Sequence, residues 1–490
     1  MISTTLIWIT LAIFAVFGGF VAFAAARGNK GTAADYYLGG RHIGGMVSGL
    51  SYAATTYSAF MLVVLTGLTY RGGIGALGFE LVYFSGLTLL VVFGPRFWLA
   101  AKRWNFITPA EMLGARYGSR NISRLTAVLS LIFLLPYCTT QMAGIGLLLS
   151  GVTGGAITLG TAIAIGAVLA IFWTLVAGLR SVAWTDAVQA VVMLVSALLA
   201  VGFVIAAIGG LDAFAGEIKE SRGQWLDVPG PGLWKLPTFL ALALPWFFFP
   251  LSNPQVSQRL FVTKDLAAMR RMIFWVLGFG LVFTLIAVIW GFAALVLVPD
   301  LENPSGATPA LLGSGAVPVW ISLLLIVGIL AAAVSTLDSI ALTLGSMVAR
   351  DLMRQGEGRD AQQIFVGRVV VVLVVLFAAW FALRNATIVD QLAALSAAGL
   401  IVTVPATIGA FFWRGGTAWG VLASLVGGAG TAIYMAMFAG ISVFNPILAA
   451  TVIGVTVGLF VIVSLLTRPS ATALDFKGEL SQELKDHGIW

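Results

Sequence analysis

A row of small polar side chains lies in the apolar run near residues 318–346. Ala332, Ser335, Thr336 and Ser339 are spaced i, i+3, i+4 and i+7, which puts them on one face of an α-helix. Two adjacent hydroxyls on one face can offer oxygen lone pairs to a small hard cation such as Na⁺. Alternatively, the hydroxyls bond back to their own helix or join two helices. The spacing therefore indicates a cation site or a helix contact.

Two acids lie within or at the edge of apolar runs. Asp338 follows Thr336 by two residues, and Asp186 opens another run directly after Thr185. An acid inside a membrane span is unfavourable unless it is paired, hydrated or coordinating an ion, and it marks function by default. Asp186 and Asp338 are therefore predicted to serve a second cation or the coupling step. For Asp186, the alternative is an anchor at the membrane interface.

Two apolar runs are interrupted by helix-breaking or polar residues. The second contains Gly44, Gly45 and Gly49, followed by the polar stretch 51–58, and the seventh contains Pro245, Pro250 and Pro254. Proline removes a backbone donor, and backbone groups freed in hydrocarbon must find partners or line a cavity. Broken helices at matching positions of two halves point to a transporter's binding site. The alternative is that these residues only kink ordinary helices.

The composition requires an apolar environment. Of 490 residues, 60% are hydrophobic and 10% are charged, whereas a soluble protein carries roughly 25% charged residues. Net charge is +7, but the basic residues lie in short loops beside apolar runs, so topology explains them better than nucleic acid does. One cysteine, Cys138, and two histidines are too few for a disulfide or a metal cluster. Without a nucleophile–base pair, we expect no enzyme and no cofactor beyond a coupling ion.

About thirteen apolar runs recur along the chain, each long enough to cross a bilayer. We predict an all-α integral membrane protein with a single transmembrane domain, residues 1–470, and a short tail, 471–490. The two broken runs each open a five-helix unit. Inverted repeats are therefore expected at about residues 45–209 and 236–412, with one further helix before them and two after them.

The positive residues predict the orientation. With an external N-terminus and thirteen spans, most of the 27 Lys and Arg residues, Arg259 among them, fall in internal loops or the tail. Only Arg71, Lys219, Arg222, Lys235 and Arg384 fall outside. We therefore predict a multi-pass protein of the plasma (inner) membrane with a cytoplasmic C-terminus.

Five short motifs stand out along the chain: Tyr37–Arg41, Ile107–Glu111, Ala115–Gly118, Gly178–Asp186 and Ala332–Ser339. Together they resemble the sodium:solute symporter family, and the pattern is most similar to the proline symporter branch. The resemblance spans residues 35–415 and implies the leucine-transporter fold with one extra N-terminal helix.

The resemblance also implies ion-binding roles. Sodium would be held by backbone carbonyls of Ala54 and Tyr57, the carbonyl of Ala332, and the hydroxyls of Ser335 and Thr336. Asp186 matches an acid beside that site, and Ser339 matches a residue that holds a second sodium in some members.

A solute is expected to bind beside this site. Thr56 and Pro250 stand where the proline symporter has an aspartate and a tyrosine, so proline itself is not predicted. We expect sodium-coupled symport of a small organic acid or amino acid by alternating access, with lipid, solute and Na⁺ as partners and the oligomeric state open. Alternatives are a sugar or vitamin symporter, or a sensory receptor with a separate signalling partner. The predicted pocket residues are Thr56, Ser58, Phe60, Tyr137, Gln141, Trp246, Pro250 and Ser396, the last in a kink at Ser396–Gly399.

Overall fold

The computed structural model describes residues 2–27, 31–228, 232–353, 359–385 and 388–488. Two basic residues counted as internal, Lys30 and Arg354, and the last two residues of the tail lie outside this part. Within it the chain is a helical bundle whose only β pairing is one bridge between Ile43 and Thr263. The predicted all-α membrane class is confirmed.

Among the described residues, eleven helices are long and apolar enough to cross a membrane, and a bent pair makes a twelfth span. The seventh predicted span is the shorter helix Leu236–Phe247, continued by Phe249–Ser252 and Pro254–Ser257. Length and composition thus support twelve of about thirteen predicted spans in the described chain. The third span consists of two helices, Gly75–Gly86 and Leu89–Trp104. Nine further spans are the first (Thr4–Ala26), fourth (Arg120–Val152), fifth (Leu159–Ala177), sixth (Leu179–Ile208), eighth (Leu266–Leu297), ninth (Val319–Leu352), tenth (Asp360–Asn385), twelfth (Ala418–Phe438) and thirteenth (Pro446–Leu466).

The second span breaks at Tyr57–Ala59. Its halves, Gly45–Thr56 and Phe60–Gly72, meet at 43°, and Tyr57 leaves the helical region at φ −94°, ψ 82°. Gly45 and Gly49 lie inside the first half. Added Cβ atoms there would collide with the backbone of the eighth span. These two glycines therefore allow close helix packing, and the break occurs in the polar stretch that follows them.

The seventh span breaks twice. Its first helix ends at Phe247, and Asn253 is extended at φ −97°, ψ 109° before Pro254 opens the next short helix. Pro254 is suited to a helix start, where no amide hydrogen is required. Both predicted broken spans are thus broken, and each opens a predicted five-helix unit. The repeat boundaries themselves stay a prediction.

The predicted kink at Ser396–Gly399 is wrong. The eleventh span, Val389–Phe412, is regular helix from Val389 to Leu400, tightens to a 3₁₀ turn at Ile401–Thr403 and resumes at Val404. The physical reason is Pro405. Because it has no amide hydrogen, it cannot bond to the carbonyl of Ile401, and the Val404 N–H takes that carbonyl instead.

The chain's tail folds back onto the bundle. A helix, Phe476–Asp486, follows the thirteenth span and places the Phe476 ring 4.8 Å from the ring of Trp104. Arg103 bonds to Glu479 at 2.8 Å and to Glu483 at 2.6 Å. The tail is thus tied to the end of the third span.

Topology can be tested by cysteine labelling. In a Cys138→Ser background, we expect a membrane-impermeant thiol reagent applied outside intact cells to label Glu302→Cys but not Gln482→Cys, because both positions are exposed and are predicted to face opposite sides. Permeabilised cells provide the control, in which both positions should react. Labelling of the second position alone in intact cells would reverse the predicted orientation.

Candidate functional site

The hydroxyl face of the ninth span lies against the end of the first half of the second span. Ser335 and Thr336 donate to the Ala54 carbonyl at 3.1 and 3.2 Å, and both also bond to the Ala332 carbonyl. Thr336 lies 3.3 Å from the Thr55 carbonyl as well. The two hydroxyls thus bond both to their own helix, at the Ala332 carbonyl, and to the second span, at the Ala54 carbonyl. These hydrogen bonds bring several oxygen atoms close together.

Tyr57, the remaining predicted sodium ligand, ends this half-helix. Its N–H bonds to the Ala53 carbonyl at 2.7 Å, and its ring lies 5.8 Å from Phe279 of the eighth span. The side chain is thus held by the eighth span, while the backbone lies at the break. Four of the five predicted ligands, Ala54, Ala332, Ser335 and Thr336, are joined by hydrogen bonds.

A buried ion pair lies beside these oxygens. Arg259 contacts Asp186 at 2.7 Å, and the two residues are 2% and 0% exposed. Ser51 donates to the same carboxylate oxygen at 2.7 Å, and Arg259 donates to the Thr55 hydroxyl at 2.9 Å. Asp186 is therefore not an interfacial anchor.

Ser339 joins this network and connects it to the ninth span. Its hydroxyl lies 2.9 Å from that of Thr55 and is also hydrogen-bonded to Arg259. Asp338, its neighbour, is buried, with its Oδ1 atom lacking a hydrogen-bond partner in the described chain. Of the three residues predicted for a second cation or coupling, Asp186 and Ser339 are thus brought together.

Arg259 is the residue that the sequence analysis missed. It was assigned to an internal loop, but it is buried and lies in the 3₁₀ turn Gln258–Phe261, which directly follows the last helix of the broken seventh span. The available signal was Asp186, because an intramembrane acid needs a partner. No spacing rule selects that partner, since the two residues are separated by 73 positions.

Trp246 is the centre of an aromatic cluster between the two broken spans. Its ring lies 5.2 Å from the rings of Phe60 and Tyr83, 5.5 Å from Phe249 and 6.1 Å from Tyr137. The Phe249 ring is nearly parallel to the indole, at 2°. Of the aromatic run Trp246–Phe249, Trp246 alone was predicted for the pocket, but Phe249 follows it by three residues and stacks on its ring.

Polar groups of the predicted pocket lie close to this cluster. The Ser58 hydroxyl is 3.2 Å from the Tyr137 hydroxyl, and Gln141 follows Tyr137 by one turn. In the described chain the Gln141 amide and the Thr56 hydroxyl are buried without hydrogen-bond partners. Buried polar groups in this state are available to a ligand or to water. Tyr83 donates to the Thr56 carbonyl at 3.1 Å.

Two further residues predicted for the pocket, Pro250 and Ser396, are buried. Their role in the pocket stays a prediction. Glu80, on the third span one turn before Tyr83, is fully buried. In the described chain neither of its carboxylate oxygens has a hydrogen-bond partner.

The fold and this site define a class: a membrane transporter in which two broken helices meet an oxygen-lined face and an aromatic pocket. A model of the Sodium:solute symporter family matches residues 36–428, and the chain belongs to that family. It is a sodium-coupled symporter of a small solute, not an enzyme, and it is a multi-pass membrane protein.

Relatives of known name are similar over most of the chain. The sodium/proline symporter of Haemophilus influenzae is 24% identical over 444 residues, 86% of each chain. The high-affinity proline transporter PutP of Bacillus subtilis is 26% identical over 470 residues, covering 91% of this chain and 97% of its own.

Solved structures share the fold. A Na⁺-coupled sialic acid symporter in a substrate-bound outward-open state matches with a TM-score of 0.77 and 20% identity, over 95% of this chain and 99% of its own. Mhp1, a nucleobase-cation-symport-1 family transporter in a closed conformation with bromovinylhydantoin bound, matches with 0.58 and 16%, over 90% and 97%. The predicted leucine-transporter fold is confirmed.

The ion pair yields a stability prediction. Asp186→Asn leaves a buried guanidinium without its charged partner, so we expect the free energy of unfolding to fall by about 3–5 kcal/mol. The double variant Asp186→Asn/Arg259→Gln should recover most of that loss, because no unpaired charge remains. Denaturant unfolding of the purified protein in lipid nanodiscs measures both variants.

The matched control is the more exposed pair of Arg71 and Asp390, whose side chains are 42% and 18% exposed at 3.0 Å. There Asp390→Asn should cost less than about 1 kcal/mol. An equal loss for Asp186→Asn and Asp390→Asn would contradict the importance of the buried pair.

Proposed function

We propose that this symporter binds Na⁺ where the second span breaks against the ninth, and uses it to take up a compact solute with a carboxylate group. The ligands are the carbonyls of Ala54, Tyr57 and Ala332 and the hydroxyls of Ser335 and Thr336. The observation that carries the proposal is the contact of both hydroxyls with the Ala54 carbonyl.

Elementary electrostatics favours a cation at this point. The half-helix Gly45–Thr56 ends here, and the C-terminal end of a helix carries partial negative charge. A hydroxyl that donates to a carbonyl keeps lone pairs, so Ser335 and Thr336 can each present oxygen to an ion. Asp186 adds a full negative charge nearby, partly balanced by Arg259.

Sodium binding would be coupled to solute transport because the ion lies between the second and ninth spans, which move relative to each other during transport. Sodium bridging the second and ninth spans would stabilise the outward-open state, and solute binding would then allow closure by alternating access. One sodium ion entering across 100 mV supplies about 2.3 kcal/mol before its concentration gradient is added. Since 1.4 kcal/mol corresponds to a factor of ten, this suffices for roughly 40-fold accumulation of a solute without net charge, such as a zwitterionic amino acid. For a monocarboxylate anion the two charges cancel, and the sodium concentration gradient alone would drive uptake.

The solute class follows from the pocket. Phe60, Tyr137 and Trp246 offer apolar and aromatic surface, while Thr56 and Gln141 offer hydrogen bonds without charge. The second half of the second span begins at Phe60, and the positive dipole end at a helix start suits a carboxylate. We therefore favour an organic acid or a small amino acid, with Ser58, Pro250 and Ser396 completing the pocket.

Two other functions are alternatives that the experiments below distinguish from this proposal. A sugar or vitamin symporter would need several hydrogen-bonding side chains around the solute, and Gln141 is the one amide that we place there. A sensory receptor would need a separate signalling partner and no net uptake. We propose the plasma (inner) membrane as the location, with the N-terminus outside.

Sodium dependence tests the ion site. Ser335→Ala and Thr336→Ala each remove one oxygen, so we expect the sodium concentration for half-maximal uptake to rise roughly 5- to 150-fold, the equivalent of about 1–3 kcal/mol. Solute affinity at saturating sodium should change much less. Uptake into proteoliposomes over a sodium series is the measurement.

Ser322→Ala is the control, because Ser322 lies on the same span, is buried and has a hydroxyl without a hydrogen-bond partner in the described chain. It should retain wild-type sodium dependence. If Ser335→Ala and Thr336→Ala retain it as well, the proposed site is wrong.

Competition tests the solute class. Small monocarboxylates or small neutral amino acids should reduce uptake, whereas glucose and galactose should not. Gln141→Leu should weaken binding of the effective competitor roughly 5- to 10-fold through the loss of one hydrogen bond, whereas exposed Gln391→Leu should not. Inhibition by the sugars alone would replace the proposal with the sugar alternative.

A further inference from the structure

A cavity of about 290 Å³ lies between the first, sixth and ninth spans, apart from the sodium and solute residues. Its wall includes Phe14 and Phe17 of the first span, Val192 of the sixth, and Leu324 of the ninth. Its outer edge reaches the lipid-facing surface, where Ile13 is 64% exposed. The volume approaches the lower end of small-molecule sites, roughly 300 Å³.

One side chain of the wall is polar and unsatisfied. Gln189, on the sixth span, lines the cavity and is 4% exposed. In the described chain neither atom of its amide has a hydrogen-bond partner. Burial of an amide in this state is unfavourable unless a ligand or water completes its hydrogen bonds.

The neighbouring hydroxyls do not supply that partner. Thr10 donates to the Leu6 carbonyl at 2.8 Å, and Thr185 donates to the Ser181 carbonyl at 3.0 Å. Both side chains line the cavity, but each is bonded to its own helix. The Gln189 amide is therefore the group that an occupant would meet.

The chemistry of the wall selects the occupant. Among the described lining residues none is charged, so a charged headgroup would lose its hydration without compensation. An amide both donates and accepts hydrogen bonds, which a hydroxyl group can match on both counts. Aromatic and aliphatic side chains around it suit a hydrocarbon chain.

We propose that this cavity is a binding site for an uncharged lipid that carries a hydroxyl group. The hydroxyl is hydrogen-bonded to the Gln189 amide, and the hydrocarbon part lies between Phe14, Phe17 and Leu324. Gln189 follows Asp186 by one helical turn on the sixth span, so the proposed lipid would bind within a turn of the buried ion pair.

A brominated fatty alcohol tests the site without reference to transport. The probe is 11-bromoundecan-1-ol, added to the purified full-length protein in detergent, and the signal is quenching of tryptophan fluorescence. Trp320 lines the cavity, so saturable quenching is expected in the wild type and should be reduced in Trp320→Phe.

The hydrogen bond is tested by removing either partner. Gln189→Leu should bind the alcohol roughly 5- to 10-fold more weakly, and wild type should bind 1-bromoundecane more weakly than the alcohol by a similar factor. In Gln189→Leu the two probes should bind equally. The variant is expected to fold, because leucine replaces an unsatisfied buried amide with an apolar group.

A variant whose side chain fills the cavity provides a second test. Leu324→Phe should abolish saturable binding, whereas Val195→Phe, at a 44% exposed position of the sixth span outside the lining, should retain it. Equal alcohol binding by Gln189→Leu and wild type would overturn the proposal. Equal loss in Leu324→Phe and Val195→Phe would do so as well.

Discussion

The half-helix Gly45–Thr56 ends inside the bundle, so its last carbonyl groups are buried away from water. In such surroundings each unsatisfied backbone group is costly, so a broken helix survives only where other groups bond to it. Ser335 and Thr336 of the ninth span do so at the Ala54 carbonyl. The ninth span must therefore present hydroxyls at this level, and the oxygens that satisfy the break are those that we propose as ligands of the sodium ion.

The ion pair of Arg259 and Asp186 extends this constraint to the rest of the bundle. Arg259 lies in the turn that follows the seventh span, Asp186 belongs to the sixth, Thr55 to the second and Ser339 to the ninth, and hydrogen bonds join all four. A buried arginine without its carboxylate is strongly unfavourable. Movement of the broken spans must therefore preserve this pair or offer each charge another partner, which ties the ion site to the conformation of the protein.

The aromatic cluster depends on the same two breaks. Trp246 comes from the seventh span and Phe60 from the second, and their rings stack at 5.2 Å because both helices stop short at this depth. Gly86 of the third span lets the seventh span pack closely against it, since an added Cβ would collide with the carbonyl of Phe247. The proposed solute pocket therefore adjoins the proposed ion site as a consequence of the way the broken spans are packed.

The sequence by itself determined the membrane class, the spans, the two broken helices and the hydroxyl face at residues 332–339. Each of these depends on local properties: apolar run length, missing proline donors, and the helical period that brings residues three and four apart to one side. The contact of Phe476 in the tail with Trp104 does not follow from such local properties.

Tertiary structure decided which distant groups meet. Arg259 was assigned to a loop, yet it pairs with Asp186 across 73 positions, and the turn in the eleventh span lies at residues 401–403 rather than 396–399. Gly45 and Gly49 are packing positions, not the break, because the backbone of the eighth span lies against them. Helical periodicity specifies the side of a helix but not the neighbour on that side, since the neighbour depends on how all the spans pack together.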